Sequence, residues 1–461
     1  MKKRIVLLII WLSTASLVAQ DVTGAWGGTL DVQGTRLRVV FNVTEGPEGY
    51  ITTLDSPDQG VKGMPVTTTE VDGPKITFGL PSARITYQGV LKDSSIVGTF
   101  TQHSQDFPLT LTKRTMEEMA VVRPQEPSEP YPYIAENVTF PNKNANITLA
   151  GTLTLPREKG PFPAVVLISG SGPQNRDEEL MGHKPFLVLS DHLTRNGIAV
   201  LRYDDRGFGA STGDFASATS ADFATDVVSA ITYLKSRSEI DGKAIGLVGH
   251  SEGGLIAPMV AAGSKDVAFM VLMAGSGIRG DKLLLLQEEL IERVLGTPEP
   301  EIKQMLETNG KLFDAIVNSK DDTRLKSELR DILEEEGAVT VPEGMTKVEL
   351  ISAQIGQFTS PWVKYFLRYD PSSNLGKVTC PVLAINGEKD LQVPPQENLS
   401  AIKKAINKGG NSNVTTREFK GLNHLFQEAE TGSPLEYAKI EQTIAPVVLN
   451  AITAWIKTQT N

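Results

Sequence analysis

Cysteine is almost missing from this 461-residue chain: Cys380 stands alone, which excludes an intramolecular disulfide. With Pro381 behind it in an apolar run, Cys380 reads as a buried core residue. Histidine is scarce too, at five residues, and no His-Glu-x-x-His or clustered Cys/His spacing occurs, so the sequence offers no metal-ligand set. Basic residues are in the minority, 45 Lys and Arg against 55 Asp and Glu. A formal net charge of −10 leaves no basic face for phosphates, so nucleic acid is excluded as a partner. Internal repeats and low-complexity tracts are absent. Long apolar runs are absent as well: the uncharged stretch from Ile5 to about Val18 falls short of the ~20 residues that a membrane span needs, and no stable membrane anchor is expected.

What stands at the N-terminus instead is a basic Lys2-Lys3-Arg4 followed by apolar Ile5 to Leu12 and small, mixed residues from Ser13 to Gln20. This is the pattern of a signal peptide over residues 1–20, cleaved near Ala19, and it predicts a periplasmic or secreted protein. No cysteine lies near its end to carry a lipid. Residues 21–114 alternate short β-type runs (Leu37 to Val43, Ile76 to Leu80, Ile85 to Leu91, Ile96 to Gln102) with turn signals at Asp72-Gly73 and Lys92-Asp93-Ser94, which predicts a small all-β sandwich or barrel. It holds no catalytic cluster, since His103 is isolated. Pro124, Pro127, Pro130 and Pro132 mark residues 115–135 as an extended linker.

From residue 136 to the C-terminus the pattern becomes β-α alternation, which predicts an α/β domain with a mostly parallel sheet flanked by helices. Strands are expected at Ile147 to Leu155, Ala164 to Ser169, Ile198 to Tyr203, Ala244 to Val248, Phe269 to Met273, Val382 to Ile385 and Val414 to Phe419. Helices are expected at Lys184 to Arg195, Asp222 to Arg237, Leu255 to Ala262, Glu397 to Ile406 and Ile440 to Lys457. Residues 278–374 carry helical patterns and no strand, and read as a helical lid inserted between two strands.

Gly249-His250-Ser251-Glu252-Gly253-Gly254 follows an apolar strand and opens a helix. In that context Gly-x-Ser-x-Gly is a nucleophile elbow: Ser251 sits in a strained turn, and Gly249 and Gly253 allow close backbone passage. A serine hydroxyl needs a base. His424, in the loop after the last predicted strand, is the well-placed candidate. His250 is expected to point away from the nucleophile, and His183 and His192 flank a helix far from it in the pattern. The orienting acid belongs between serine and histidine, after a strand; Asp390 fits and Glu388 competes. For the oxyanion hole, Glu252 N–H supplies one donor and Ser171 N–H, in the loop Ser169-Gly170-Ser171-Gly172-Pro173, the other. Gly170 and Gly172 do not form a nucleotide cradle: Pro173 interrupts the loop, no third glycine follows and no Gly-Lys-Ser/Thr occurs, so no cofactor is expected. Trp362 and Phe366 in the insertion are candidates for the substrate pocket.

The elbow, the Tyr203-Asp204-Asp205-Arg206-Gly207 turn and the Asp390/His424 pair resemble the α/β-hydrolase superfamily. Residues 169–177 with Gly182-His183-Lys184-Pro185-Phe186 resemble, more narrowly, a group of exported bacterial esterases that often carry a β-rich N-terminal domain. The resemblance implies a carboxylesterase acting on a small-molecule or glycan-linked ester through an acyl-enzyme on Ser251, with the Arg206 turn structural and Arg176 and Asp177 shaping the loop. A peptidase or thioesterase on the same residues is the alternative within enzymes, and a non-catalytic binding protein the alternative outside them.

Overall fold

The computed structural model describes residues 22–32, 35–47, 49–56, 61–102, 105–115, 123–335 and 346–460. The expected signal peptide, His103 and residues 116–122 of the expected linker lie outside them. Contacts divide the chain into two units, Met1–Ala120 and Val121–Asn461.

The first unit holds β1 (Gly24–Val32), β2 (Thr35–Gly46), β3 (Gly49–Ser56), β4 (Val61–Val66), β5 (Thr68–Asp72), β6 (Lys75–Leu80), β7 (Ile85–Lys92), β8 (Ser95–Gln102) and β9 (Gln105–Lys113). They form one antiparallel sheet, ordered β4-β3-β2-β1-β9-β8-β7-β6-β5. The edge strands β4 and β5 follow each other in the chain, and the Thr69 hydroxyl of β5 bonds that of Thr52 on β3 at 2.9 Å, so the sheet curls into a barrel with one open seam. Alternate residues fill the inside: Trp26, Phe41, Phe78 and Tyr87 are buried, and Phe41 stacks on Phe78 at 4.5 Å.

In the second unit, β10 (Ile134–Asn142) and β11 (Ile147–Leu155) form a hairpin on the edge of the sheet. The parallel strands are β12 (Phe162–Ile168), β13 (Ala199–Tyr203), β14 (Ile240–His250), β15 (Phe269–Met273), β16 (Val382–Gly387) and β17 (Val414–Phe419), in the order β10-β11-β13-β12-β14-β15-β16-β17. Alternate side chains of each strand enter different cores. Ala164, Val166 and Ile168 pack with helices α2 (Ser220–Lys235), α3 (Glu252–Ala261) and α10 (Pro395–Lys408). Val165 and Leu167 pack with α1 (Pro185–Arg195) and α11 (Pro446–Thr460) on the other face. The result is an α/β domain, a mostly parallel sheet with helices on both faces.

Between β15 and β16 run α4 (Gly280–Leu295), α5 (Glu299–Asn318), α6 (Asp322–Glu335), α7 (Lys347–Phe358), α8 (Pro361–Arg368) and the short α9 (Ser372–Leu375). These helices build a core of their own from Leu312, Phe313, Ile316, Leu325 and Leu329. Among the described residues no helix is long and apolar enough to cross a membrane.

Within the proline-rich stretch, Arg123 donates to the carbonyls of Ile440 and Ala438 at 2.7 and 2.9 Å and is buried on the second unit. One expectation needs correction. The C-terminal helix starts at Pro446 rather than Ile440: a 3-10 turn occupies Pro434–Lys439, and the Ile444 backbone is bonded to Gln125 instead of to a helix.

Candidate active site

Ser251 caps α3 with φ 53° and ψ −117°, a left-handed backbone that a serine adopts only when its surroundings impose it. They do so here on both sides. The Ser251 N–H donates to the Met273 carbonyl of β15 at 2.8 Å. A Cβ at Gly249 would collide with the Gly253 carbonyl, and one at Gly253 with the Ile168 carbonyl of β12. The elbow therefore packs backbone against backbone, and both glycines are sterically required.

The loop after β12 is held from below by carboxylates. Asp205 accepts from the Ser169 hydroxyl and the Gln174 N–H, each at 2.9 Å. Arg176 grips Asp204 through Nε and Nη2 at 3.0 and 2.7 Å and also donates to the Gly151 carbonyl, while Asp177 receives Arg202. Arg176 and Asp177 thus shape the loop. Gly172 has φ +86°, within it. Arg206 is tied to buried Asp226 at 2.8 Å and is structural.

Asp390 and His424 come from the ends of the neighbouring strands β16 and β17. Asp390 Oδ1 accepts the backbone N–H groups of Gln392 and Val393 at 2.9 and 2.8 Å, and Asn386 donates to Oδ2 at 3.2 Å. His424 rides a tight loop in which the Asn423 side-chain oxygen accepts from Leu425 and Gln427. Its Nδ1 lies 3.0 and 2.9 Å from the two Asp390 oxygens, and both residues are buried. Facing a carboxylate, Nδ1 carries the hydrogen and leaves the Nε2 lone pair free. Glu388 accepts the Gly421 N–H at an exposed turn instead.

Ser171, Ser251, Glu252, Trp362 and Phe366 line one cavity of about 390 Å³, which Gln392 and Val393 reach from the Asp390 loop. Leu255, Leu283, Phe313 and Phe358 make much of its wall apolar. Trp362 stacks on Phe366 at 5.0 Å and donates Nε1–H to Glu252 Oε1 at 2.8 Å. Burial pushes the Glu252 carboxyl up, against the opposing bonds from Ser220 Oγ and Trp362. Glu288 on α4, also lining the cavity, is likewise raised by burial.

The remaining histidines divide clearly. His183 is buried, bonded to Thr443 Oγ1 and the Tyr437 carbonyl, and burial pushes it down to about 4. His250 bonds Glu178 and the His424 carbonyl, so it turns toward the base loop, a role the sequence did not signal. Glu178 was missed altogether, since nothing in its spacing marks it, and Asp205, although part of the Tyr203–Gly207 turn, was given no role; only the fold brings the two under the loop. Among the described residues no group of three or more His, Cys, Asp or Glu side chains is placed to hold a metal ion.

Residues 186–430 match the sequence family described as "Serine aminopeptidase, S33". The chain is 26% identical over 321 residues to Esterase EstD of Thermotoga maritima, covering 69% of this chain and 68% of that protein. It is 27% identical over 143 residues to mouse acyl-coenzyme A thioesterase 1, covering 31% of each. Among solved structures it resembles the Pyrococcus furiosus esterase Pf2001 (TM-score 0.45, 15% identity, 71% of this chain and 92% of that one). It also resembles Est1E of Butyrivibrio proteoclasticus with ferulic acid bound (TM-score 0.42, 18% identity, 70% and 99%).

Proposed function

The chain belongs to the α/β-hydrolase family described as serine aminopeptidase, S33, and on that premise we propose that it is a carboxylic ester hydrolase working through an acyl-enzyme on Ser251. The observation that carries the reading is Ser251, held at positive φ at the head of α3 in the same cavity as Ser171 and Glu252, with the Asp390–His424 pair on the adjoining loops. His424 Nε2 takes the Ser251 proton as Oγ attacks the ester carbonyl. The Ser171 and Glu252 N–H groups receive the developing oxyanion, and the alcohol leaves with the proton returned by His424. Water, activated by the same nitrogen, then releases the acid. Asp390 holds the tautomer and balances the imidazolium.

The name of the relative matched over two thirds of its length supports ester over amide, where the family description alone would favour a peptide bond. Among the described residues lining the cavity are Glu252 and Glu288 and no Lys or Arg, which disfavours a site built for the phosphates of a coenzyme A thioester. The helical insertion acts as a lid that sets substrate size, and the protein is exported, on the strength of Lys2-Lys3-Arg4 and the apolar residues after them.

The test is hydrolysis of a p-nitrophenyl ester series with an aminoacyl anilide series alongside. Ser251→Ala and His424→Ala each lower kcat on the order of 10⁴-fold or more, and the double variant is hardly worse, because the residues act as one unit. Asp390→Asn is strongly impaired and Glu388→Gln nearly normal. Multiplying losses, or Glu388→Gln as the worse change, would overturn the assignment, and preferred anilide cleavage would make the protein a peptidase.

A further inference from the structure

His250 precedes the candidate nucleophile, and the reaction above gives it no task. Both of its nitrogens are nevertheless engaged: Nε2 lies 3.1 Å from the His424 carbonyl oxygen and Nδ1 lies 3.0 Å from Glu178 Oε1. A carbonyl oxygen has no hydrogen to give, so Nε2 carries one and donates it. Glu178 Oε1 also accepts the Gly170 N–H, at 2.7 Å. A bare Nδ1 would set its lone pair against an oxygen that is already acting as an acceptor; a hydrogen there removes the conflict. With Glu178 ionised, the ring is then an imidazolium facing a carboxylate. The two side chains are 8% and 5% exposed, so water solvates neither charge and each requires the other.

The connections of this pair span the site. Glu178 holds Gly170, the residue before Ser171. His250 is the residue before Ser251, bonds the backbone of His424 and lies 4.8 Å from its ring, centroid to centroid. We propose that His250 and Glu178 form a second histidine–carboxylate pair, of positioning residues, that keeps the oxyanion loop and His424 in register with the nucleophile and does so only while His250 is doubly protonated. The proposal rests on the reading of Ser251 and His424 as nucleophile and base.

The charged and titratable groups around His250 are Glu178, Asp390 and His424. Against the burial that favours a neutral ring, the Glu178 charge and hydrogen bond, the His424 carbonyl and the Asp390 charge hold His250 above the ordinary histidine range. A group raised in this way keeps its contacts at low and neutral pH and loses them as pH rises through its shifted value.

The test uses the full chain, with p-nitrophenyl butyrate hydrolysis followed across pH and the rate of fluorophosphonate labelling measured in parallel. Glu178→Gln keeps an oxygen that can accept from both Gly170 and His250 but removes the negative charge that the doubly protonated ring requires. It is expected to lower kcat and the labelling rate about 10- to 100-fold with KM nearly unchanged, as small misplacements of reacting groups do. It also moves the alkaline limb of kcat to lower pH. His250→Phe keeps the ring and removes both bonds, with a similar loss and no such limb. A loss of kcat with an unmoved alkaline limb would reduce the pair to ordinary packing, and unchanged rates would remove it entirely. Nitrogen NMR of the unsubstituted protein supplies a readout free of folding effects: the His250 ring carries hydrogen on both nitrogens at pH 7, and one bare nitrogen overturns the proposal. If the unsubstituted protein neither hydrolyses the ester nor labels, the esterase reading fails, while the ring measurement still decides the pair.

Discussion

Asp204 and Asp205 are adjacent identical residues with opposite fates. Against its own burial, Asp204 is held below the ordinary carboxylate range by Arg176 and by the Ala210 and Arg176 N–H groups. Asp205 has no cation: burial pushes it up to about 8, and the bonds from Gln174 N–H and Ser169 only soften the effect. No sequence pattern separates the two, because the difference lies in Arg176, 28 residues away in the chain. A carboxyl that binds its proton more tightly when folded contributes stability that is complete below its unfolded value, ~3.9, and is lost as pH rises toward 8. Asp205→Asn keeps the oxygen facing Gln174 and can turn its amide to the Ser169 hydroxyl, so it removes the ionisation with little loss of bonding. Urea midpoints should therefore show the variant gaining on the parent between pH 5 and pH 8. An equal gap at both pH values would mean that Asp205 is already ionised at pH 5.

Elements were legible where periodicity is undisturbed by the edge of the sheet. Ile147 to Leu155, Phe269 to Met273 and Val414 to Phe419 are strands with those ends. β10 was not foreseen: it pairs only with β11, just Phe140 and Asn142 of its nine residues are buried, and Glu136, Asn137 and Pro141 interrupt its apolar residues. The insertion was legible as helices, and its aromatic cluster was not legible as a surface with two sides. Trp362 and Phe366, four apart, line the cavity, while Tyr365 turns to stack on Tyr369 at 5.7 Å, over a separate groove. α8 thus presents one wall to the cavity, and this wall is fixed to the elbow by the Trp362–Glu252 bond. Phe366→Ala enlarges the cavity without breaking that bond. It should shift the ratio of kcat/KM toward longer acyl chains, by about 1 kcal/mol for each methylene accommodated, while small-phosphonate labelling persists. A changed melting temperature with an unmoved chain-length ratio would mean that Phe366 packs the insertion and selects nothing.

For the whole molecule, the change from β alternation to β-α alternation locates two units, and the proline-rich stretch marks the region between them. Composition alone does not say to which unit that stretch belongs, because prolines suit a free linker and a docked strap equally well. The side chains decide. Arg123 donates to four carbonyls, those of Met181, Gly182, Ala438 and Ile440. Gln125 donates to Ile444 and accepts from the Thr443 and Ile444 N–H groups. Residues 181–183 lead into α1, and residues 438–444 lead into α11, so the strap closes backbone groups that neither segment satisfies for itself. The first unit, by contrast, has its own aromatic core. A fragment beginning at Val121 should fold and label at Ser251. One beginning at Tyr131 removes Arg123 and Gln125, leaves buried carbonyls and amides without partners at roughly 1–3 kcal/mol for each such group, and should melt lower or fail to fold. Arg123→Ala in the full chain isolates the same effect, with lost thermal stability and little change in KM for a short ester. If the Tyr131 fragment is as stable as the Val121 fragment, the strap is a passive linker after all.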